Sequence, residues 1–310
     1  MRLFAKFILI YLGVMLVFII SLELALLTQE NEYSYKRHFI ENHLDDIKVL
    51  MLGSSLFQTS IDPVAIGDSV FNSSLGGIKD IHKNSASYQM AFRYVPKMKN
   101  LKALIVPYPI FDIYNGSDSW IYDTESNNRT NNCMKVKYLD TPEDIRDYMY
   151  WSEFINSKKA YIKRFILSDK ESRCCDSMGF VNTGHKLGNR QEGWKFNYGD
   201  NPAEKPREQT WSVIEGYNDV AELCRQNGVT LIGIATPLYK TRAKGLTPKF
   251  KADYKYTISE IHKKYPEVKF FDYTYDSRFS SDDFFDAVHL NNNGAIKFSR
   301  IVKEEVLGWK

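Results

Sequence analysis

One long apolar run and five short ones stand out along the chain. The long run covers residues 7–22, broken only by one Gly and one Ser, and it continues past Glu23 through Leu24, Ala25, Leu26 and Leu27. With that extension it supplies about 20 residues, enough at 1.5 Å per residue to span a hydrocarbon core. The short runs are residues 47–52, 69–72, 101–106, 229–235 and 268–271. Their length and their turn-forming neighbours, such as Gly53 after the first and Pro107 and Pro109 after the third, predict strands buried on both faces. Between them, residues 80–98, 210–227, 252–264 and 294–307 read as helices. Strands alternating with helices predict an α/β fold in three layers, α/β/α, around a five-stranded, mainly parallel sheet. Ligands of such sheets gather at the carboxyl ends of the strands, where Gly53-Ser54-Ser55 lies.

The alternation is interrupted between the third and fourth strands. Residues 116–206 are rich in Asn, Asp, Ser, Tyr and Trp, with one helical segment at 142–167, and read as an insertion. Residues 29–46 are polar with scattered apolar positions and read as a stalk. The expected organisation is a cytosolic tip and transmembrane anchor (1–28), a stalk (29–46) and one domain (47–310). Arg2 and Lys6 precede the long run, and positive charge on a short leading side favours keeping that end in the cytosol. The domain is then extracytoplasmic. A cleaved signal peptide is the competing reading, but it calls for a shorter apolar region and a small-x-small site, which Ala25-Leu26-Leu27-Thr28 does not offer.

The net charge is +3, with basic and acidic residues mixed along the chain. No basic stripe or arginine-rich arm marks a nucleic-acid partner. The four cysteines form no C-x-x-C pair, and no His/Asp cluster has metal-ligand spacing, so neither a metal site nor a cofactor is expected. Cys224 lies in a helical run and reads as a small buried apolar residue. Outside the cytosol, Cys133 has either Cys174 or Cys175 as a disulfide partner, and spacing does not choose between them.

A serine hydroxyl needs a base within hydrogen-bond reach, and the base needs an acid that fixes its tautomer. Ser55 follows a buried strand in a glycine-containing turn. Near the other end, Asp286-Ala287-Val288-His289 places a carboxylate and an imidazole three residues apart, just before the last predicted helix. The other histidines, His38, His43, His82, His185 and His262, have polar or amphipathic surroundings without this arrangement. Each half alone is common in turns and caps. In this order, the pair resembles the SGNH/GDSL hydrolase family, whose nucleophile follows the first strand in Gly-Asp-Ser or Gly-Ser-Ser and whose Asp-x-x-His precedes the last helix.

The resemblance covers roughly residues 46–310 and implies a flavodoxin-like fold, with Ser55 as nucleophile, His289 as base and Asp286 as its orienting acid. The family's second block, Asn-x-Gly-x-x-Gly, corresponds to Asn72-Ser73-Ser74-Leu75-Gly76-Gly77. The N–H groups of Ser55 and Gly77 would then form the oxyanion hole. The third block departs from the family: no Asn follows the third strand, where Val106-Pro107-Tyr108-Pro109 stands, and Asn115 comes late. Tyr108 is the substitute donor on offer; its plainer role is an aromatic packed beside two prolines.

A membrane-anchored subset, including the D-alanine transfer protein of teichoic-acid modification, shares the anchor, Gly-Ser-Ser, the late His-Leu and the missing asparagine. That likeness implies ester hydrolysis or acyl transfer, O-acetyl above all, on an acylated carbohydrate or cell-surface polymer, beside a multi-spanning membrane acyltransferase. The rival from another class is a non-catalytic glycan-binding or assembly partner on the same fold. Trp120, Tyr122, Trp151, Trp194, Tyr198 and Trp211 read as a small core around the insertion or as sugar-facing rings, and residues 184–190 as a loop.

Overall fold

A computed structural model describes residues 2–28, 32–76, 81, 85–108, 175–184, 206–244, 246 and 248–309. The chain divides into two compact units, residues 1–37 with 123–173, and residues 38–122 with 174–310. The first contains α1 (Arg2–Thr28). Its stretch Arg2–Ser21 has a mean hydropathy of 2.7 and is long and apolar enough to cross a membrane. Phe7, Leu9 and Val17 are all exposed there, a surface that suits lipid and is costly in water.

Helix α2 (Glu32–Asn42) leads into the second unit. The segment read as a stalk therefore contains a regular helix, and its second half is part of the domain. Ile40 is fully buried, and Phe39 stacks on Phe71 with centroids 4.2 Å apart.

Five strands build the sheet: β1 (Val49–Met51), β2 (Val70–Asn72), β3 (Ala103–Pro107), β4 (Thr230–Ala235) and β5 (Lys269–Asp272). Their order is β2-β1-β3-β4-β5, and every pairing is parallel. Val49 sits opposite both Val70 and Ala103, so β1 has neighbours on either side. The chain builds outward to β2, then returns past β1 to β3. That reversal leaves a crevice beyond the carboxyl ends of β1 and β3, where parallel sheets bind ligands. The central strands β1 and β3 are buried throughout, whereas edge strand β5 is partly exposed.

Alternation along the strands supplies two apolar faces. Val49, Met51, Ala103, Ile105, Ile232 and Ile234 form one core with Phe57 of α3 (Ser55–Ser60) and Phe298 of α8 (Asn292–Ile301). Helices α4 (Ala86–Tyr94), α5 (Pro206–Gln226) and α7 (Pro248–Lys264) contact one another through α5, which also touches β4. A short helix, α6 (Lys240–Lys244), follows β4. The chain is thus an α/β protein with a five-stranded parallel sheet and an N-terminal apolar helix.

Boundaries differ from the sequence reading where caps intervene. Ser85 accepts the N–H of Tyr88 at 3.2 Å and starts α4 later than residue 80. Pro96 then falls in a 3-10 turn, Val95–Lys97, that ends it. The last helix continues beyond Ile301 as one π turn, Val302–Val306. Most of the insertion, residues 116–174 and 185–205, lies outside the described residues.

Candidate active site

Ser55 owes its place to the end of β1. Leu52 donates to Ile105 O at 3.0 Å, and Gly53 O accepts the Leu75 N–H at 2.8 Å. A Cβ on Gly53 would stand 2.6 Å from Pro107 Cγ, so only glycine lets β1 turn against the end of β3. Ser54 is extended, with φ −89° and ψ −168°, and caps α3. Ser55 is therefore the first residue of a helix, where backbone N–H groups have no intrahelical acceptor.

Asn72, at the end of β2, holds that helix. It is fully buried. Its Nδ2 donates to Phe57 O and Ile61 O, both at 2.9 Å, and its Oδ1 accepts the Ser74 N–H at 3.1 Å. One side chain thus ties β2 to the far end of α3. The sequence placed Asn72 in the second block but gave no sign of this role, because the bonds join residues 11 and 15 positions away.

The acid and base come from the connection between β5 and α8. An antiparallel bridge, Phe284 to Leu290, closes the loop that carries them. Phe285 donates to His289 O at 2.9 Å within it. Leu290 is fully buried in the core with Phe284, and burial of such a side chain contributes about 1.5–3 kcal/mol. Asn291 then caps α8: its Oδ1 accepts the Gly294 N–H at 3.0 Å and its Nδ2 donates to Asp282 O at 2.6 Å. A Cβ on Gly294 would lie 2.1 Å from Asp283 O, so glycine is required for the helix to approach the loop.

These two constructions bring the three residues together. His289 Nε2 is 3.0 Å from Ser55 Oγ, and His289 Nδ1 is 2.8 Å from Asp286 Oδ2. Asp286 Oδ1 accepts the N–H groups of Val288 and His289, each at 2.8 Å. Burial alone would raise the Asp286 carboxyl. The hydrogen bond and charge of His289, with the two N–H donors, outweigh it and hold the group below the ordinary carboxylate value. An ionised carboxylate only accepts, so Nδ1 carries the proton that it receives. Nε2 is then the basic nitrogen, and the Ser55 hydroxyl donates to it. The arrangement can remove the hydroxyl proton as the oxygen attacks an electrophile, and return it to a leaving group.

Of the expected oxyanion donors, the Ser55 N–H lies at the start of α3; Gly77 and Asn115 lie outside the described residues. Tyr108 is buried, with its ring edge-on to Tyr254 and Phe270 at 5.5 and 5.4 Å. Burial, then the Asp272 charge, pushes its hydroxyl well above the usual range. It is an aromatic packed between α7 and β5, which is the plainer of its two expected roles.

Residues 175–184 add a part that the sequence did not reveal. Asn72 donates to Met178 O at 3.0 Å, and Val181 donates to Gln58 O at 3.0 Å. Thr183 Oγ1 donates to Leu290 O at 3.2 Å, and Asn292 donates to Gly184 O at 3.3 Å. This strap touches the strand end, the helix that begins at Ser55 and the residue after His289. Its bonds are to backbone groups distant in sequence, so no local pattern announces it.

Of the expected aromatics, Trp211 is half exposed on α5, not in the insertion; the other five lie outside the described residues. Cys224 is buried and free, and burial pushes its thiol up to about 12. Cys175 is also buried, while Cys133 and Cys174 lie outside the described residues. Among the described residues no three His, Cys, Asp or Glu side chains gather around a point that would hold a metal ion. No family model matches the chain, and no curated protein matches it.

Proposed function

We propose that this protein is a serine esterase or acyltransferase of the SGNH type, acting on acyl esters of an extracytoplasmic carbohydrate. The observation that carries the reading is the Ser55–His289–Asp286 relay, with contacts of 3.0 and 2.8 Å assembled from opposite ends of the domain. Two features support it. The strand order β2-β1-β3-β4-β5 is the flavodoxin-like order, and Ser55 stands at its switch point. Asn72 clamps the nucleophile helix from the position of the family's second block.

In this reading Ser55 attacks the ester carbonyl carbon while its proton passes to His289 Nε2. Asp286 stabilises the resulting imidazolium. The tetrahedral oxyanion is met by the Ser55 N–H and, by the family likeness, that of Gly77. Collapse expels the alcohol, which takes the proton from His289 and leaves an acyl-Ser55. Water or a sugar hydroxyl then accepts the acyl group by the same steps. Helix α1 anchors the protein in a membrane, with its N-terminus in the cytosol and the site outside.

A missing oxyanion donor typically costs about 10²–10³ in rate. The packed Tyr108 in place of the third-block asparagine therefore favours a slow, specialised reaction, and it is also what a non-catalytic glycan-binding relative would show. Hydrolysis of p-nitrophenyl acetate separates the two. The enzyme reading expects turnover by the full chain that Ser55→Ala abolishes. Turnover equal in Ser55→Ala and the parent protein, or none in either, leaves the binding role.

A further inference from the structure

The connection from β5 to α8 carries more than the acid and the base. Before it reaches Asp286, a groove of about 440 Å³ opens on the surface, lined by Asp272, Tyr273, Tyr275, Asp276, Ser277 and Arg278. We propose that this groove is a carbohydrate subsite, taking a sugar unit without carboxylate or phosphate from the same polymer whose acyl ester reaches Ser55. The inference rests on the reading of the protein as a glycan-directed esterase or transferase.

Three features point to a sugar. Tyr275 is 53% exposed, so its ring is open to a ligand. Its ring is fixed, because its hydroxyl donates to Ala243 O at 2.9 Å and the Lys251 ammonium lies 4.8 Å from its centroid. A rigid aromatic covers the C–H face of a pyranose at little entropic cost. Beside it, Asp272 is oriented by two donors: the Tyr254 hydroxyl at 3.1 Å to one oxygen and the Thr274 N–H at 3.0 Å to the other. Each carboxylate oxygen keeps a second lone-pair direction, which suits neighbouring sugar hydroxyls.

Charge narrows the class. The lining holds two carboxylates, Asp272 and Asp276, against one guanidinium, Arg278. Arg278 pairs with Asp276 at 2.6 Å and with Glu305 at 2.5 Å, and the Lys251 ammonium against Tyr275 is a second cation, so Asp272, Asp276 and Glu305 outnumber the two cations beside the groove. A uronic or phosphorylated unit would meet net negative charge there, whereas a neutral or amino sugar would not. Position fits as well. The groove lies past the carboxyl end of β5, on the side of the sheet where Ser55 follows β1. Three strand spacings separate β5 from β1, about 14 Å, a span that a polymer crosses and a single small ester does not.

The test uses the full chain carrying Ser55→Ala, so that nothing turns over, against a panel of oligosaccharides: cello-, xylo- and malto-oligomers, glucosamine oligomers and oligogalacturonate. Titration calorimetry is expected to show binding to at least one neutral or amino series and none to oligogalacturonate. Adding Tyr275→Ala or Asp272→Asn should weaken it at least about 10-fold. Asp272→Asn is isosteric and keeps an oxygen for the Thr274 N–H, so it serves if Tyr275→Ala does not fold. Failure to bind any member of the panel, preference for the uronic series, or binding unchanged in the folded variants overturns the proposal. Fluorophosphonate labelling of the parent protein at Ser55 keeps the two readings apart. Labelling without sugar binding removes the subsite alone, and sugar binding without labelling removes the enzyme alone.

Discussion

Removing the Asn72 side chain should damage both stability and the placement of Ser55. In Asn72→Ala the Ser74 N–H loses the acceptor it has at 3.1 Å, and Ile61 O loses its donor at 2.9 Å. Phe57 O keeps the Ile61 N–H at 3.2 Å and is not left bare. Each buried group stripped of a partner costs about 1–3 kcal/mol. Two such groups at a fully buried site give a loss of about 2–6 kcal/mol. For a domain of this size each kcal/mol is worth about 2–4 °C, so the melting temperature should fall by about 4–24 °C. The same amide fixes the end of the helix that begins at Ser55. A drift of 1 Å in the hydroxyl costs about 10² in rate, so fluorophosphonate labelling should slow by about that factor below the new melting temperature. Asn72→Asp keeps the acceptor but points negative oxygen at two carbonyls, and should be at least as harmful. A melting temperature within about 2 °C of the parent, with an unchanged labelling rate, would refute the clamp.

Three further outcomes follow from the same geometry. Gly294→Ala places a methyl group 2.1 Å from Asp283 O and should lower the unfolding free energy by more than the few tenths of a kcal/mol typical of a tolerated surface change, read as a lower melting temperature; a stabilised variant would contradict the close approach. Asp286→Asn keeps an oxygen for the Val288 and His289 N–H groups but offers Nδ1 a donor, which reverses the tautomer. Turnover of p-nitrophenyl acetate should drop on the order of 10⁴, as in serine proteases altered in this way. Because the Asp286 carboxyl is held below its ordinary value, its stabilising contribution is present at neutral pH and is lost as pH falls through that lowered value. Asp62 has the opposite sign: burial, with the Asp176 charge, raises it above 3.8 against the N–H groups of Val64 and Ala65. Its charge opposes folding at neutral pH, so Asp62→Asn should melt no lower than the parent at pH 7, an advantage that shrinks as pH falls to 3.8. A lower melting temperature at pH 7 would reverse that assignment.

What the sequence made legible were features encoded locally. The five strands were visible as apolar runs because both faces of a parallel sheet are covered. Ser55 was visible because Gly53 must follow β1, and Asp286 with His289 because one short loop carries both. Helix α3 was read only as a turn: six residues ending in Thr59 and Ser60 have no helical periodicity to show. It is held by Asn72 and by the burial of Phe57, contacts made across the fold. The strap at residues 175–184 escaped for the same reason, since its partners are the backbone groups of Asn72, Gln58, Leu290 and Asn292. Tyr108 shows the converse: its place after β3 suggested an oxyanion donor, and the rings of Tyr254 and Phe270 claimed it for packing.

The central claim is that Ser55 is activated by His289, and active-site labelling tests it most directly. The full-length protein is treated with a fluorophosphonate at neutral pH, digested, and the modified peptide sequenced by mass spectrometry. The adduct is expected on Ser55 alone, lost in Ser55→Ala and slowed at least about 10³-fold in His289→Ala. Folded protein that remains unlabelled, or that labels equally fast without the His289 imidazole, would contradict the account.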